Sequence, residues 1–414
     1  MTPVSTLNPT VNPYSNLHPA SLTRQPSLRV VAIGGGTGLS TLLRGLKHYV
    51  PAPAAFRRST DAPSSLPSGA VAKPIPNPLR PPFQSRPEHT AHDFPCTIRD
   101  LAAIVTVTDD GGSSGRLRED LKMLPPGDVR NCMVALSEDE HLLAKLFQYR
   151  FHQGDLDGHS FGNLFVAALS EITGDFAQAV QMSSQILATR GRIYPATNTD
   201  VTLAARMDDG SIVRGETSIT ASPHRILELT LEPAGAEPLP GTLDAIASAD
   251  LITLGPGSLY TSLITNLLVR GIPEAIAASS ATRVYVGNLM TQANESLGLS
   301  ASQHIEKILQ HCRRVMSDGQ PDPGPAECDG EESPGPAYTQ LFDYALINTA
   351  PISPTLLAQY AREGQTPIEP DLDRIRALGV EPIPGNFVNE GSVLRHDPDR
   401  VTEALLRLAL ARPE

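Results

Sequence analysis

Two acids, three glycines, two serines and two arginines stand together from Asp109 to Arg118, inside the stretch VTVTDDGGSSGRLRED. Carboxylates, bare backbone and guanidinium forks at one point suit a phosphorylated ligand that also carries hydroxyls. Asp109 and Asp110 leave a β-type run, where an acid often accepts a hydrogen bond from a ribose hydroxyl. Two adjacent acids can instead hold a divalent cation that bridges phosphates. Ser113 and Ser114 add hydroxyl donors, and Arg116 and Arg118 offer planar forks for phosphate or carboxylate. The plain alternative is a solvated turn with an internal Asp–Arg bridge.

Other loops carry similar chemistry. Gly34-Gly35-Gly36-Thr37-Gly38 follows LRVVAI and precedes a helix-like run. Consecutive glycines let backbone N–H groups approach a phosphate at a helix start. The loop is not a P-loop, because the G-x-x-x-x-G-K-[ST] spacing and its lysine are missing. Nor is it a full G-x-G-x-x-G, since Leu39 takes the third glycine position. Gly257 and Ser258, in GPGSLYTS, read as a second anion cradle, with Tyr260 either on a base or packed in the core. In PPGDVRN, the side chains Asp128, Arg130 and Asn131 can face the same crevice, or the run is an ordinary turn. His159 and Asn163 open a helix-rich stretch. Asn288 and Gln292, after a buried strand, can read the amide edge of a base or cap the next helix. Cys132 reads as a buried apolar residue rather than a nucleophile.

These loops need strands and helices to hold them. Leu28–Ile33, 104–107, 251–254, Arg283–Gly287 and Tyr344–Ile347 read as buried strands, and helices are expected over 39–49, about 161–187 and 401–411. Ser137 and Glu140 suggest a capping box for a helix carrying Leu142, Leu143, Leu146 and Phe147. VTLAARMDDGSIVRGE reads as a hairpin turning at Asp208-Asp209-Gly210, and ILELTLEP as a half-buried strand. Alternation of strand and helix predicts an α/β fold, Rossmann-like, with a mostly parallel sheet covered by helices on both faces and a helix-rich insertion. Ligands in such sheets sit beyond the carboxyl ends of the strands. Residues 1–27 are expected to be a disordered tail. Residues 28–414 then form one domain, interrupted by Pro-rich loops at 51–96 and 317–337 that lack a hydrophobic period.

Composition narrows the function. The 414-residue chain has a net charge of −12 and no Lys/Arg cluster, which argues against nucleic acid. No apolar run reaches the roughly 20 residues of a membrane helix. The N-terminus lacks the apolar segment of a signal peptide, and the four scattered cysteines form no C-x-x-C pair. A reducing cytoplasm fits best.

The motifs GGGTGLS, VTVTDDGGSSGRLR, PPGDVRN, GHSFGNL, ADLITLGPGSLYTS and VGNLMTQ, in that order, closely resemble the YvcK-type gluconeogenesis factors of the CofD-like superfamily, named for 2-phospho-lactate transferase. The resemblance covers most of residues 28–310. It implies a cytoplasmic Rossmann-like protein that binds UDP-N-acetylglucosamine and supports cell shape and cell-wall synthesis during gluconeogenic growth. It requires no cofactor for binding. A regulatory protein partner and a homo-oligomer are compatible with it. The transferase relatives imply another reading, a Mg²⁺-dependent phospholactyl transfer with the ion on Asp109 or Asp110. A dinucleotide-dependent oxidoreductase is a third reading, weakened by the missing third glycine. Where the family has proline-glycine-glutamate after M-T-Q, this chain has Ala293-Asn294-Glu295, which questions the turn there.

In the first reading the diphosphate lies over Gly35, Gly36, Thr37 and Gly38 and over Gly257 and Ser258. Arg116 and Arg130 neutralise it, Asp109, Asp110 and Asn163 meet hydroxyls or a cation, and Tyr260 and Asn288 meet the base.

Overall fold

The computed structural model describes residues 26–51, 96–137, 142–317 and 340–411. The proposed N-terminal tail, the body of the 51–96 segment, nearly all of the 317–337 segment, Glu140 and Cys328 lie outside the described residues.

The strands are β1 (Ser27–Gly34), β2 (Thr97–Val105), β3 (Arg192–Pro195), β4 (Thr202–Met207), β5 (Ile212–Arg214), β6 (Ile226–Glu232), β7 (Leu251–Leu254), β8 (Thr282–Val286), β9 (Tyr344–Asn348), β10 (Glu381–Gly385), β11 (Val388–Glu390) and β12 (Leu394–His396). Seven of them make one sheet in the order β10-β9-β8-β7-β1-β2-β3, and every neighbouring pair is parallel. The α/β expectation therefore holds. Sequence order runs outward from β1 in both directions, so the switch point lies between β1 and β7. A crevice forms there because the connections leaving the two strands turn to opposite sides.

Val30, Val31, Ala32 and Ile33 of β1 are all buried. A strand covered on both faces has no reason to alternate, and this one does not. The first helix, α1 (Gly36–Lys47), buries Leu39, Leu42, Leu43 and Leu46, one stripe at helical spacing. It packs against α3 (Gly127–Leu136) and the C-terminal helix Pro398–Leu410. Between α1 and α3 in the chain comes α2 (Gly112–Leu121).

Paired arginine–aspartate forks tie neighbouring strands at the amino-terminal edge. Arg29 Nε and Nη2 donate to Asp250 at 3.1 and 2.7 Å, joining β1 to the residue before β7. Arg283 repeats the fork on Asp343 at 3.2 and 2.6 Å, joining β8 to the residue before β9.

A small antiparallel sheet, β5-β4-β6, carries the expected hairpin, with Gly210 at φ +85 in its turn. The two-stranded β11-β12 ribbon was not anticipated. One expectation fails. Ser137 is extended and ends α3, its hydroxyl donating to the Val134 carbonyl at 3.0 Å. The helix Leu143–Gln148 begins without any side-chain cap. Leu142, Leu143 and Leu146 are exposed, and Phe147 is the residue that anchors this segment in the core. No helix among the described residues is long and apolar enough to cross a membrane.

Candidate functional site

A cleft of about 430 Å³ opens at the carboxyl ends of β1, β7 and β8. The loops after β1 and β7 form its floor. They interlock: a Cβ placed on Gly38 would stand 2.3 Å from the Pro256 carbonyl oxygen. Only glycine permits that approach. Gly35, Gly36, Thr37, Gly38, Gly257 and Ser258 line the cleft as the sequence suggested, and so do Asp109 and Asn288. The N-cap residue of α1, Gly35, has no side chain with which to cap it, and the positive end of the helix faces the cavity.

Asp128 closes this floor from the α3 side. Its Oδ2 accepts the Gly36 N–H at 2.7 Å. A carboxylate thus already takes one amide of the glycine loop. Burial, and then the nearby Asp109, push the Asp128 carboxyl up to about 6.

A third acid, Glu216, was not singled out from sequence. It stands directly after β5, where Gly215 turns at φ +87, and the small sheet holds it over the cleft. Thr108 Oγ1 donates to Glu216 Oε2 at 3.4 Å. Burial first, then Asp109 and Asp128, push Glu216 up to about 9. At neutral pH this group holds its proton.

Asp110 does not line the cavity. Its Oδ1 accepts the Thr217 N–H and hydroxyl at 2.8 and 2.6 Å, docking the small sheet's helix onto the β2 exit loop. Asp109 and Asp110 therefore part company, although adjacent in sequence. The donor chemistry of Asp109, Asp128 and Glu216 suits a hard ion such as Mg²⁺. Among the described residues, however, only Asp208, Asp209 and His224 bring three such atoms within 4.8 Å of one another. That exposed trio is an ion-pair cluster, each imidazole nitrogen facing one carboxylate at 3.2 and 3.3 Å. An ion in the cleft would rest on one or two carboxylates, with ligand oxygens completing its shell.

The expected arginines lie elsewhere. Arg116 is exposed and donates to the Asp157 carbonyl at 2.6 Å. Arg118 binds Asp200 and the Val201 carbonyl. Arg130 donates to Ser160 Oγ and Asn131 Oδ1 at 2.6 and 2.7 Å. Ser113 joins His159 Nδ1 and Asn163 Nδ2, both at 3.1 Å. Ser114, buried, packs beside Gly127. Ser113, Ser114, Arg130, His159 and Asn163 form a polar layer between α2, α3 and the helix Phe161–Thr173, and neither they nor Arg116 and Arg118 line the cleft. Tyr260 is only 2% exposed and meets His311 edge-to-face at 6.1 Å, so it packs in the core rather than on a base. Cys132 is fully buried, and burial raises its thiol well above the ordinary range.

The remaining wall comes from β12 and the helix Pro354–Ala361, where Tyr360, Arg395 and His396 line the cleft. Tyr360 Oη accepts the Leu394 N–H at 3.0 Å, joining the two. His396 Nε2 donates to the Gly287 carbonyl at 3.0 Å, and burial lowers its imidazole to about 4. Arg395 is the one guanidinium among the lining residues.

Asn288 and Gln292 both line the cleft, and Gln292 Nε2 donates to Ser258 Oγ at 2.8 Å. The chain turns at Ala293-Asn294-Glu295. Asn294 takes φ +59, a conformation asparagine tolerates better than most residues, and its amide donates to the Thr220 carbonyl at 3.0 Å. Replacing Asn294 with glycine should lose only the bond to Thr220, about 0.5–1 kcal/mol, whereas alanine should cost about 1 kcal/mol more through strain at positive φ. Equal melting of both variants would contradict this account of the turn.

The family model for 2-phospho-L-lactate transferase CofD matches residues 30–388. A gluconeogenesis factor of Halalkalibacterium halodurans is 42% identical over 91% of this chain and 95% of its own length. The Bacillus subtilis gluconeogenesis factor is 39% identical over 92% of this chain and 98% of its own. A crystal structure of a UPF0052-family protein from Bacillus halodurans superposes with a TM-score of 0.72 at 41% identity, covering 92% of this chain and 99% of that one.

Proposed function

Since the chain belongs to the CofD family and stands with its gluconeogenesis factors, we propose that the cleft binds the nucleotide sugar UDP-N-acetylglucosamine without turnover. In this reading the protein is a regulator of cell shape and cell-wall synthesis during gluconeogenic growth, acting through a protein partner. The interlocked glycine loops at the switch point carry the reading, because beyond the Gly36 N–H held by Asp128 they offer backbone donors to a diphosphate at a helix start. Arg395, rather than Arg116 or Arg130, supplies the neutralising charge. Tyr360 and the Asn288–Gln292 run face the less charged parts of the ligand.

Calorimetric titration with UDP-N-acetylglucosamine should give saturable binding and leave the nucleotide intact. Arg395→Ala should weaken it at least about tenfold, the value of one charge-assisted contact, and Arg116→Ala less than about twofold. A flat titration at millimolar ligand sinks the proposal. Equal losses in both variants would misplace the diphosphate.

One observation favours a second reading. Three carboxylates at a phosphate-type loop suit Mg²⁺-dependent phospholactyl transfer from a nucleotide diphospho-donor. A bound ion would neutralise charge on the transferring group. One or two of Asp109, Asp128 and Glu216 would hold that ion, and the glycine loops would orient the phosphates. Mg²⁺-dependent breakdown of the donor in the same titration would shift the assignment to this reading.

A further inference from the structure

Behind the Asn288 loop lies a second cavity, of about 310 Å³, which shares Asn288 and Leu289 with the main cleft. Its other walls come from the loop after β9, the start of the helix Ala301–Met316, and the Pro367–Pro370 run. No Lys, Arg, Asp or Glu lines it. Three of its side chains carry polar atoms that are buried and without a hydrogen-bond partner: Tyr285 Oη, Asn288 Oδ1 and His304 Nε2. Tyr285 is 0% exposed and His304 1% exposed. The Asn288 backbone N–H approaches the phenol oxygen of Tyr285, outside good hydrogen-bond geometry, and the phenol proton has no acceptor among the described residues.

Buried polar atoms are rarely left unmatched, and three around one cavity call for a common partner. Their roles can be assigned. His304 Nδ1 donates to the Ser300 carbonyl at 2.8 Å, so its proton sits there and Nε2 presents a lone pair. Burial lowers this imidazole, keeping it neutral. Asn288 Oδ1 is a second acceptor. Tyr285 O–H is a donor. The set is two acceptors and one donor in an uncharged, largely apolar chamber.

We propose that this chamber is a subsite for a neutral amide, whose N–H meets His304 Nε2 or Asn288 Oδ1 and whose carbonyl meets Tyr285 O–H. The absence of lining cations argues against phosphate, and the absence of lining acids argues against an amine. The inference rests on the nucleotide-sugar reading of the adjoining cleft for its source of amide: the imide edge of a pyrimidine, or the acetamido group of the sugar.

Its test uses neutral fragments as well as the whole ligand. In protein labelled with ¹⁵N-histidine, the His304 Nε2 resonance, assigned with His304→Asn, is followed during addition of uridine and, separately, N-acetylglucosamine at tens of millimolar. A saturable shift with uridine alone assigns the base, and a shift with N-acetylglucosamine alone assigns the acetamido group. No shift with either fragment overturns the subsite, whatever UDP-N-acetylglucosamine does in calorimetry. A calorimetric blank alongside a fragment shift removes the nucleotide-sugar reading and leaves the subsite standing. Tyr285→Phe supplies the second readout. It should weaken the effective fragment about tenfold with little change in melting temperature, because the phenol proton it removes has no internal acceptor among the described residues. Unchanged affinity in Tyr285→Phe, or a lowered melting temperature with affinity retained, would also overturn the assignment.

Discussion

Gly38→Ala is expected to cost about 3 kcal/mol of unfolding free energy and to abolish the nucleotide binding proposed for the cleft. The added methyl would stand 2.3 Å from the Pro256 oxygen, 2.7 Å from its carbon and 3.0 Å from the Gly257 Cα. All three contacts are backbone, so no rotamer change relieves them. The loops after β1 and β7 must separate, and the donors they share lose their common focus. Gly36→Ala is the matched control. Gly36 sits at φ +60, but its nearest neighbour, Ser262 Oγ, is 4.0 Å away. Strain there costs about 1 kcal/mol and leaves the interlock in place. Denaturant unfolding and calorimetry of both variants decide the matter. If Gly38→Ala unfolds with the wild type and still titrates, the two loops are not locked at this point.

Glu216→Gln should stabilise the protein above neutral pH and do nothing below pH 4.5. In the unfolded chain Glu216 ionises near 4.5, and in the folded chain near 9. Below 4.5 both states hold the proton. Between the two values the unfolded chain releases it and the folded chain does not, so stability falls as pH rises, by about 1.4 kcal/mol per pH unit. Above 9 both states are ionised and the loss stops growing. By pH 7 the loss attributable to this group is about 3 kcal/mol. Glutamine is neutral throughout and can still accept from Thr108. Asp128, raised to about 6, and Glu295, raised to about 7, add slopes of the same sign that the variant retains. Chemical denaturation at pH 4, 7 and 8.5 should therefore show curves that meet in acid and diverge in base. Parallel curves would mean that Glu216 is solvated and not part of a buried acidic group.

The sheet was legible where burial makes the pattern local. β1, β7, β8 and β9 are short runs of buried aliphatic and aromatic residues bounded by glycine or polar breaks. β2 was legible only in its second half. Its opening residues, Thr97, Arg99 and Asp100, are partly exposed, and Asp100 is paired with Arg192 of β3, a partner 92 residues away. The floor of the cleft could be read because glycine loops declare themselves by residue type. Its walls could not. Glu216, Tyr360 and Arg395 reach the cavity through tertiary packing of the small sheet and the β12 ribbon, and nothing in their neighbouring residues encodes that seat. Arg116 and Arg130 show the converse. Chain proximity placed them beside the right loops, but the direction of α2 and α3 turns their guanidinium groups into the adjoining polar layer.

The points where the chain departs after α1 and returns before β2 lie together at the amino-terminal edge of the sheet. Ile98 N donates to the Tyr49 carbonyl at 2.8 Å, and Thr97 N to the Pro26 carbonyl at 2.9 Å. The nine residues of β2 set this edge roughly 25–30 Å from the cleft. Length added or removed there enters and leaves the fold at the end of the sheet opposite the cleft. A reporter fused at that junction would report on the protein while leaving its chemistry alone, which makes it the natural handle for capturing whatever the protein meets in the cell.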